Sequence, residues 1–179
     1  MNAVLTYIDT GDRRFSGRLA DWSPPRWFRW WMVTATRLGD GWLWALIAFS
    51  LFVVGDYGAL AAASLACSGA NLAMIFLKRK FRRSRPCANG TNHFFQIVRA
   101  DLSSFDSFSF PSGHTMNAFA IGTVLSSMHP SLLPAMLFVA MSVGASRLVL
   151  RLHFLTDVLA GAALGVSIGS LVCRAFSFS

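Results

Sequence analysis

Glutamate is absent from this sequence, so every acidic role falls to eight aspartates. Charge of either sign is sparse, at 13% of residues, well below ordinary soluble usage. Cysteine is scarce as well. Cys67, Cys87 and Cys173 are odd in number and widely separated, which excludes a disulfide framework and a CxxC-type metal site. A cleavable secretory leader is not expected, because Met1 to Ile8 is too short for an apolar core before Asp9 and Asp12 intervene. No internal repeat or low-complexity segment stands out. Asn89-Gly-Thr91 matches a glycosylation acceptor, a pattern too short to carry weight.

What the chain has in excess is apolar surface. Hydrophobic residues make up 54% of its 179 positions and the mean hydropathy is +0.51. That composition points to a membrane protein of a single domain, residues 1–179. Burying charge in hydrocarbon is costly, so the few charges belong at membrane faces or in a functional cavity. A net charge of +8 suits topology, anionic headgroups or an anion site. Nucleic acid is not an expected partner, because the cations flank apolar spans.

Five apolar blocks, roughly 41–55, 57–77, 112–128, 131–149 and 154–173, approach the length needed to cross about 30 Å of hydrocarbon. The expected fold is an all-α polytopic membrane helix bundle of about five transmembrane helices over residues 40–173. Residues 1–38 form an interfacial N-terminal segment of amphipathic helices. Within it, residues 4–20 mix apolar side chains with Arg13, Arg14 and Arg18, as a surface-lying helix would. Residues 26–37 gather Trp27, Phe28, Trp30 and Trp31 beside arginines, which suits the headgroup level. The other reading of that stretch is the first part of a longer tilted helix interrupted at Gly39-Asp40-Gly41. Small-residue runs such as Ala61-Ala62-Ala63 and Gly161-Ala162-Ala163-Leu164-Gly165 permit close helix approach in lipid. The stretch 79–110 begins basic and turns aromatic, with Phe94, Phe95, Phe105, Phe108 and Phe110, as a lid or a lipid-entry apron would.

Alternating these spans across a membrane brings the unusual polar groups to one face: Lys78 and Arg85, then His114, then Ser146 and Arg147, then His153 and Asp157. His153 and Asp157, four apart, share a helix face, where the carboxylate can accept the Nδ1 proton and leave Nε2 free as a nucleophile or base. Lys78, Arg85 and Arg147 suit a dianion. Phe110-Pro111-Ser112-Gly113-His114 opens a helix whose free N–H groups and dipole favour an anion, with Gly113 letting the backbone come close. Two histidines allow a division of labour between nucleophile and general acid. Arg79, Lys80, Arg82 and Arg83 read as contacts to lipid headgroups, and His93 and His129 as surface histidines without partners. No metal or other cofactor is expected, since a His114/His153/Asp157 metal site would have no closely spaced third ligand.

The three segments together, Lys78-x6-Arg85-Pro86, Pro111-Ser112-Gly113-His114 and Ser146-Arg147-x5-His153-x3-Asp157, resemble the motifs of the type 2 phosphatidic acid phosphatase superfamily, in order and in internal spacing. The resemblance covers about residues 40–173, and by it the short N-terminus is expected to lack the first of the family's six spans. It implies a small bacterial, metal-independent membrane lipid phosphatase working through a phosphohistidine. By that likeness His153 attacks phosphorus, Asp157 orients it and stabilises the imidazolium, and His114 protonates the leaving oxygen. Lys78, Arg85, Ser112, Gly113 and Arg147 would hold the phosphate oxygens. Substrates that fit are phosphatidic acid, phosphatidylglycerol phosphate and a polyprenyl diphosphate. The alternatives are a lipid phosphotransferase using the same site and a non-enzymatic lipid-binding membrane protein; the vanadium haloperoxidases, which share the anion site, are soluble.

Location in the plasma (inner) membrane is expected, with the bilayer itself as partner; the oligomeric state is left open. With five spans, Arg174 alone falls on the face opposite the site, and the other fifteen of the sixteen Lys and Arg lie on the catalytic face. The positive-inside tendency then turns the site toward the cytoplasm, although many relatives work on the outer face.

Overall fold

A computed structural model describes residues 3–86 and 108–177. Cys87, Asn89, His93 and the phenylalanines at 94, 95 and 105 lie outside the described residues, as does most of the expected lid. Among those described, every regular element is helical: α1 Ala3–Asp21, α2 Arg26–Gly39, α3 Trp42–Val54, α4 Tyr57–Phe81, α5 Gly113–Met128, α6 Leu133–Val149 and α7 Leu155–Ser177.

Helices α4, α6 and α7 are each long and apolar enough to span a bilayer, α6 together with the 3-10 turn Pro130–Leu132 that precedes it. Helices α2 and α3 qualify only as a pair, bent by 55° at the break between them. Among the described residues that makes three candidate spans by length and composition, or four with the bent pair, and neither α3 nor α5 qualifies alone. The reason is length: α3 has 13 residues and α5 has 16, about 20 and 24 Å, short of a core about 30 Å thick. The break between α2 and α3 falls at Asp40 and Gly41, with Gly41 at φ 114°.

Helix α5 sits in the middle. It packs on α4, α6 and α7, and nine of its sixteen residues are buried. A helix so enclosed need not match the hydrocarbon thickness by itself. Its closest neighbour is α7, which presents Gly161, Gly165 and Gly169 at four-residue intervals. A methyl group at Gly161 would lie 2.6 Å from the Ser112 carbonyl oxygen, and one at Gly169 would lie 2.7 Å from that of Ala120. A methyl at Gly165 would collide with the Met116 carbonyl. The small-residue stripe lets the two backbones touch, which drives helix association where lipid removes the hydrophobic force. On α4 the alanines Ala59, Ala62, Ala63, Ala66 and Ala70 turn inward onto Met116, Ala120, Ile121, Val124 and Leu125 of α5. Large apolar side chains face out, among them Leu72, Phe76, Phe138, Met141, Leu159 and Leu171. This inversion of the soluble pattern is what lipid as solvent selects.

Helix α1 follows the same logic. Asp12 and Ser16 are buried against the protein while Ile8 and Phe15 are exposed. At the end remote from α1, Asp56 caps α4 by accepting from Ala59 N (3.0 Å) and pairs with His129 Nε2 (2.7 Å). His129, read from sequence as partnerless, is a tie between the start of α4 and the end of α5.

Candidate active site

The turn between α6 and α7 carries His153, and Arg147 shapes it. The Arg147 carbonyl accepts from both Leu152 N (3.0 Å) and His153 N (3.1 Å). Arg151 adopts φ 56° to make this possible, a left-handed conformation rare outside glycine. Leu150 and Leu152 anchor the turn in a small core with Met32 of α2. The arginine side chain is itself 2% exposed, and its Nη1 donates to Thr36 Oγ1 of α2 (2.5 Å).

His153 is 3% exposed. Its Nδ1 lies 2.7 Å from the Ser109 backbone oxygen. A carbonyl can only accept, so Nδ1 carries the hydrogen and Nε2 keeps its lone pair. Burial above all, with the positive fields of Arg147 and Arg85 adding to it against the pull of Asp157, pushes the imidazole pKa down to about 3. The ring is neutral at physiological pH.

Asp157 does not take the Nδ1 proton, contrary to the expectation from the four-residue spacing. Its Oδ2 is 3.7 Å from Nδ1, beyond hydrogen-bonding distance. That oxygen instead accepts from Phe154 N (2.8 Å), and Oδ1 accepts from Arg83 Nη1 (2.8 Å). The helix start explains this: the free N–H groups of the first turn compete for the carboxylate. The carboxylate stays close enough to stabilise positive charge on the ring through space. Its backbone oxygen accepts from Ser112 N (3.0 Å), which joins the start of α5 to the start of α7.

The remaining expected residues gather around this point. His114, in the first turn of α5, acts electrostatically with Arg147 and Lys78, while Arg147 and Arg85 act on His153. Lys78, in the last turn of α4, is 8% exposed. Ser112 is buried at the N-cap of α5, its hydroxyl 2.9 Å from that of Thr115. Gly113 packs so tightly on Met74 that an added methyl would collide with the thioether. Three cations and a helix N-terminus thus converge with two imidazoles, as a site for a doubly charged phosphate requires.

Several groups at the site escape a reading of the sequence. His114 Nε2 lies 2.5 Å from Asp40 Oδ1 at the bend between α2 and α3. A carboxylate flanked by two glycines at a helix interruption was the available signal. Ser109 and Thr36 carry no signal at all, one acting through its backbone and the other sitting in an apolar helix. Arg83, grouped in the sequence with headgroup-binding cations, instead points inward. Its guanidinium reaches Asp157, Thr156, Asp12 and Asp9, and lies 4.3 Å from the centre of the Phe154 ring.

The chain is similar to known proteins. A family model described as the PAP2 superfamily matches residues 57–179. Phosphatidylglycerophosphatase B of Bacillus subtilis (strain 168) is 40% identical over 93 residues, covering 44% of this chain and 46% of its own length. Lipid A 1-phosphatase of Porphyromonas gingivalis is 38% identical over 87 residues, covering 46% of this chain and 19% of its own. The matches span about half or less of these curated relatives. A crystal structure of a transmembrane PAP2-type phosphatidylglycerolphosphate phosphatase from Bacillus subtilis has the same fold, with a TM-score of 0.75 and 26% identity. The likeness covers 99% of this chain and 88% of that one.

Proposed function

Because the chain belongs to the PAP2 superfamily and is an integral membrane protein, we propose that it hydrolyses the phosphate of a membrane lipid through a phosphohistidine on His153. The observation that carries this reading is the buried imidazole with its Nδ1 hydrogen committed to the Ser109 carbonyl and Nε2 left as a neutral nucleophile. A neutral nitrogen fixed in orientation and set among cations is what attack on a phosphate needs.

In the first step His153 Nε2 forms a bond to phosphorus as the bond to the lipid oxygen breaks. His114, entering as the imidazolium with its Nε2 hydrogen held by Asp40, gives its Nδ1 proton to that leaving oxygen. Lys78, Arg85 and Arg147, with Ser112 and Gly113 at the α5 start, hold the oxygens on which charge accumulates. Asp157 stabilises the imidazolium. In the second step water attacks the phosphohistidine, His114 takes a proton from it, the P–N bond breaks and phosphate leaves. We read residues 1–179 as one domain serving this reaction.

Phosphatidic acid and phosphatidylglycerol phosphate are the preferred substrates within this reading. A site at a membrane face suits a lipid whose tails stay in hydrocarbon, and the charge bias turns that face toward the cytoplasm. A relative's printed name, phosphatidylglycerophosphatase B, adds support for the second of them. The test is phosphate release by the detergent-solubilised protein from these two lipids and from undecaprenyl diphosphate, with and without EDTA and vanadate. Release from the glycerolipids that persists in EDTA and stops with vanadate is expected. Activity lost in EDTA and restored by zinc or magnesium would refute the metal-independent mechanism.

Sidedness has its own measurement. In a cysteine-free background, single cysteines replace Ser84 beside the site and Ser131 at the opposite end. An impermeant maleimide applied to intact cells is expected to label position 131 alone, and labelling at 84 alone would reverse the orientation.

A further inference from the structure

We propose that Arg83 is a positioning residue for the phosphoryl-transfer centre, and that Asp12 of the N-terminal helix holds it in place. The inference rests on the reading of His153 as the nucleophile. Arg83 lies between Lys78 and Arg85, just past the end of α4. Arg82 there takes φ 45° and turns the chain off the helix, so that Arg83 comes back toward the start of α7 and not out to the headgroups.

Both supports of the His153 ring meet in this one residue. The Arg83 carbonyl accepts from Ser109 N (2.7 Å), and the Ser109 carbonyl in turn receives the Nδ1 hydrogen of His153 (2.7 Å). The Arg83 side chain fixes the second support. Its Nη1 donates to Asp157 Oδ1 and to Thr156 Oγ1, each at 2.8 Å. Its Nη2 donates to Asp12 Oδ2 (2.7 Å) and Asp9 Oδ1 (3.2 Å). A planar fork with fixed donor directions can hold two carboxylates at a set angle, as an ammonium cannot.

Asp12 completes the arrangement from 144 residues away. It is 4% exposed, accepts from Thr156 N (3.1 Å) through Oδ1, and bonds the Thr156 hydroxyl through Oδ2. It therefore supplies an acceptor to the free N–H groups at the start of α7, one position before Asp157. Three carboxylates converge on a single guanidinium, and two of them are buried. Such a cluster keeps its geometry only while the cation is present. An anchor for α1 alone would need Asp9 and Asp12 but not Asp157. By holding Asp157 Oδ1, Arg83 acts with Phe154 N to set where the other oxygen sits, 3.7 Å from the ring nitrogen.

The experiment uses the full chain in detergent micelles with phosphatidic acid, and compares Arg83→Lys, Asp12→Asn, Asp157→Asn and the Arg83→Lys/Asp157→Asn double variant. Lysine keeps the charge and the backbone carbonyl, so only the fork is lost. Arg83→Lys is expected to lower kcat by about 10- to 100-fold with KM within about twofold, the effect of a displaced catalytic geometry. In the Asp157→Asn background the same change should cost less than about twofold more, because its effect passes through Asp157. Asp12→Asn should give the same split, and it serves as the test if Arg83→Lys does not fold. Losses that multiply in the double variant, a raised KM at unchanged kcat, or wild-type kinetics in Arg83→Lys would each overturn the inference. His153→Ala is the control for the reading beneath it: turnover there refutes the nucleophile, whereas a silent control with multiplying losses refutes Arg83 alone.

Discussion

His153→Ala is expected to abolish both phosphoenzyme formation and turnover, while leaving the bundle assembled. No neighbouring group can take over: Asp157 is committed to Phe154 N and Arg83, and His114 is held by Asp40. The check is quenched-flow trapping with a 32P-labelled lipid, followed by acid-labile, base-stable phosphate on the protein. Near-normal turnover in the variant would end the phosphohistidine mechanism. The same substitution carries a pH signature. The His153 pKa is about 3 in the folded protein, against an ordinary value of 6.5. As pH falls below about 6.5 the unfolded chain gains a proton here that the folded chain refuses, so stability is lost progressively toward pH 3. Above that range the group contributes no pH dependence. Thermal unfolding of the wild type between pH 7 and pH 4 should therefore decline more steeply than that of His153→Ala. Parallel profiles would mean that the imidazole accepts a proton without penalty.

His114→Ala is expected to slow turnover of an alkyl phosphate such as phosphatidic acid by about 10² to 10⁴, the usual worth of a placed general acid. With a nitrophenyl phosphate, whose leaving group needs little protonation, the loss should shrink to about tenfold or less. That dependence on the leaving group separates an acid from a binding residue, whose removal would slow both substrates alike. Asp40→Asn should act in the same direction but less strongly. The Asp40 carboxylate can only accept, so at 2.5 Å it keeps the His114 Nε2 hydrogen in place and fixes the ring. Equal losses on both substrates in His114→Ala would remove it from the acid role. A wild-type leaving-group profile in Asp40→Asn would reduce the pair to a bend-closing contact.

Most of the expected site residues come together, and the reason is that motif spacing is local. Ser112, Gly113 and His114 share one helix start, while Arg147, His153 and Asp157 share one turn, so their relative placement depends on few intervening residues. The lipid-facing surface is similarly local, since large apolar and small residues alternate along each helix at the period that separates outside from inside. Span number is a different matter. An apolar block shows how much hydrocarbon a segment tolerates, yet α3 and α5 are cut short by helix ends whose meaning depends on what encloses them.

By itself, the sequence determined the all-helical membrane class and the family motifs. Only the tertiary structure decided which acceptor takes the His153 hydrogen, since the spacing of four nominated Asp157 and the folded chain uses Ser109, 44 residues away. It also decided that Arg83 faces Asp157 and not lipid, and that Asp40 meets His114, each across 74 residues. A hydrogen bond is settled within a few tenths of an ångström. Spacing along one helix fixes positions no more closely than a face, and the rest is set by how α1, α2 and α7 pack against the centre.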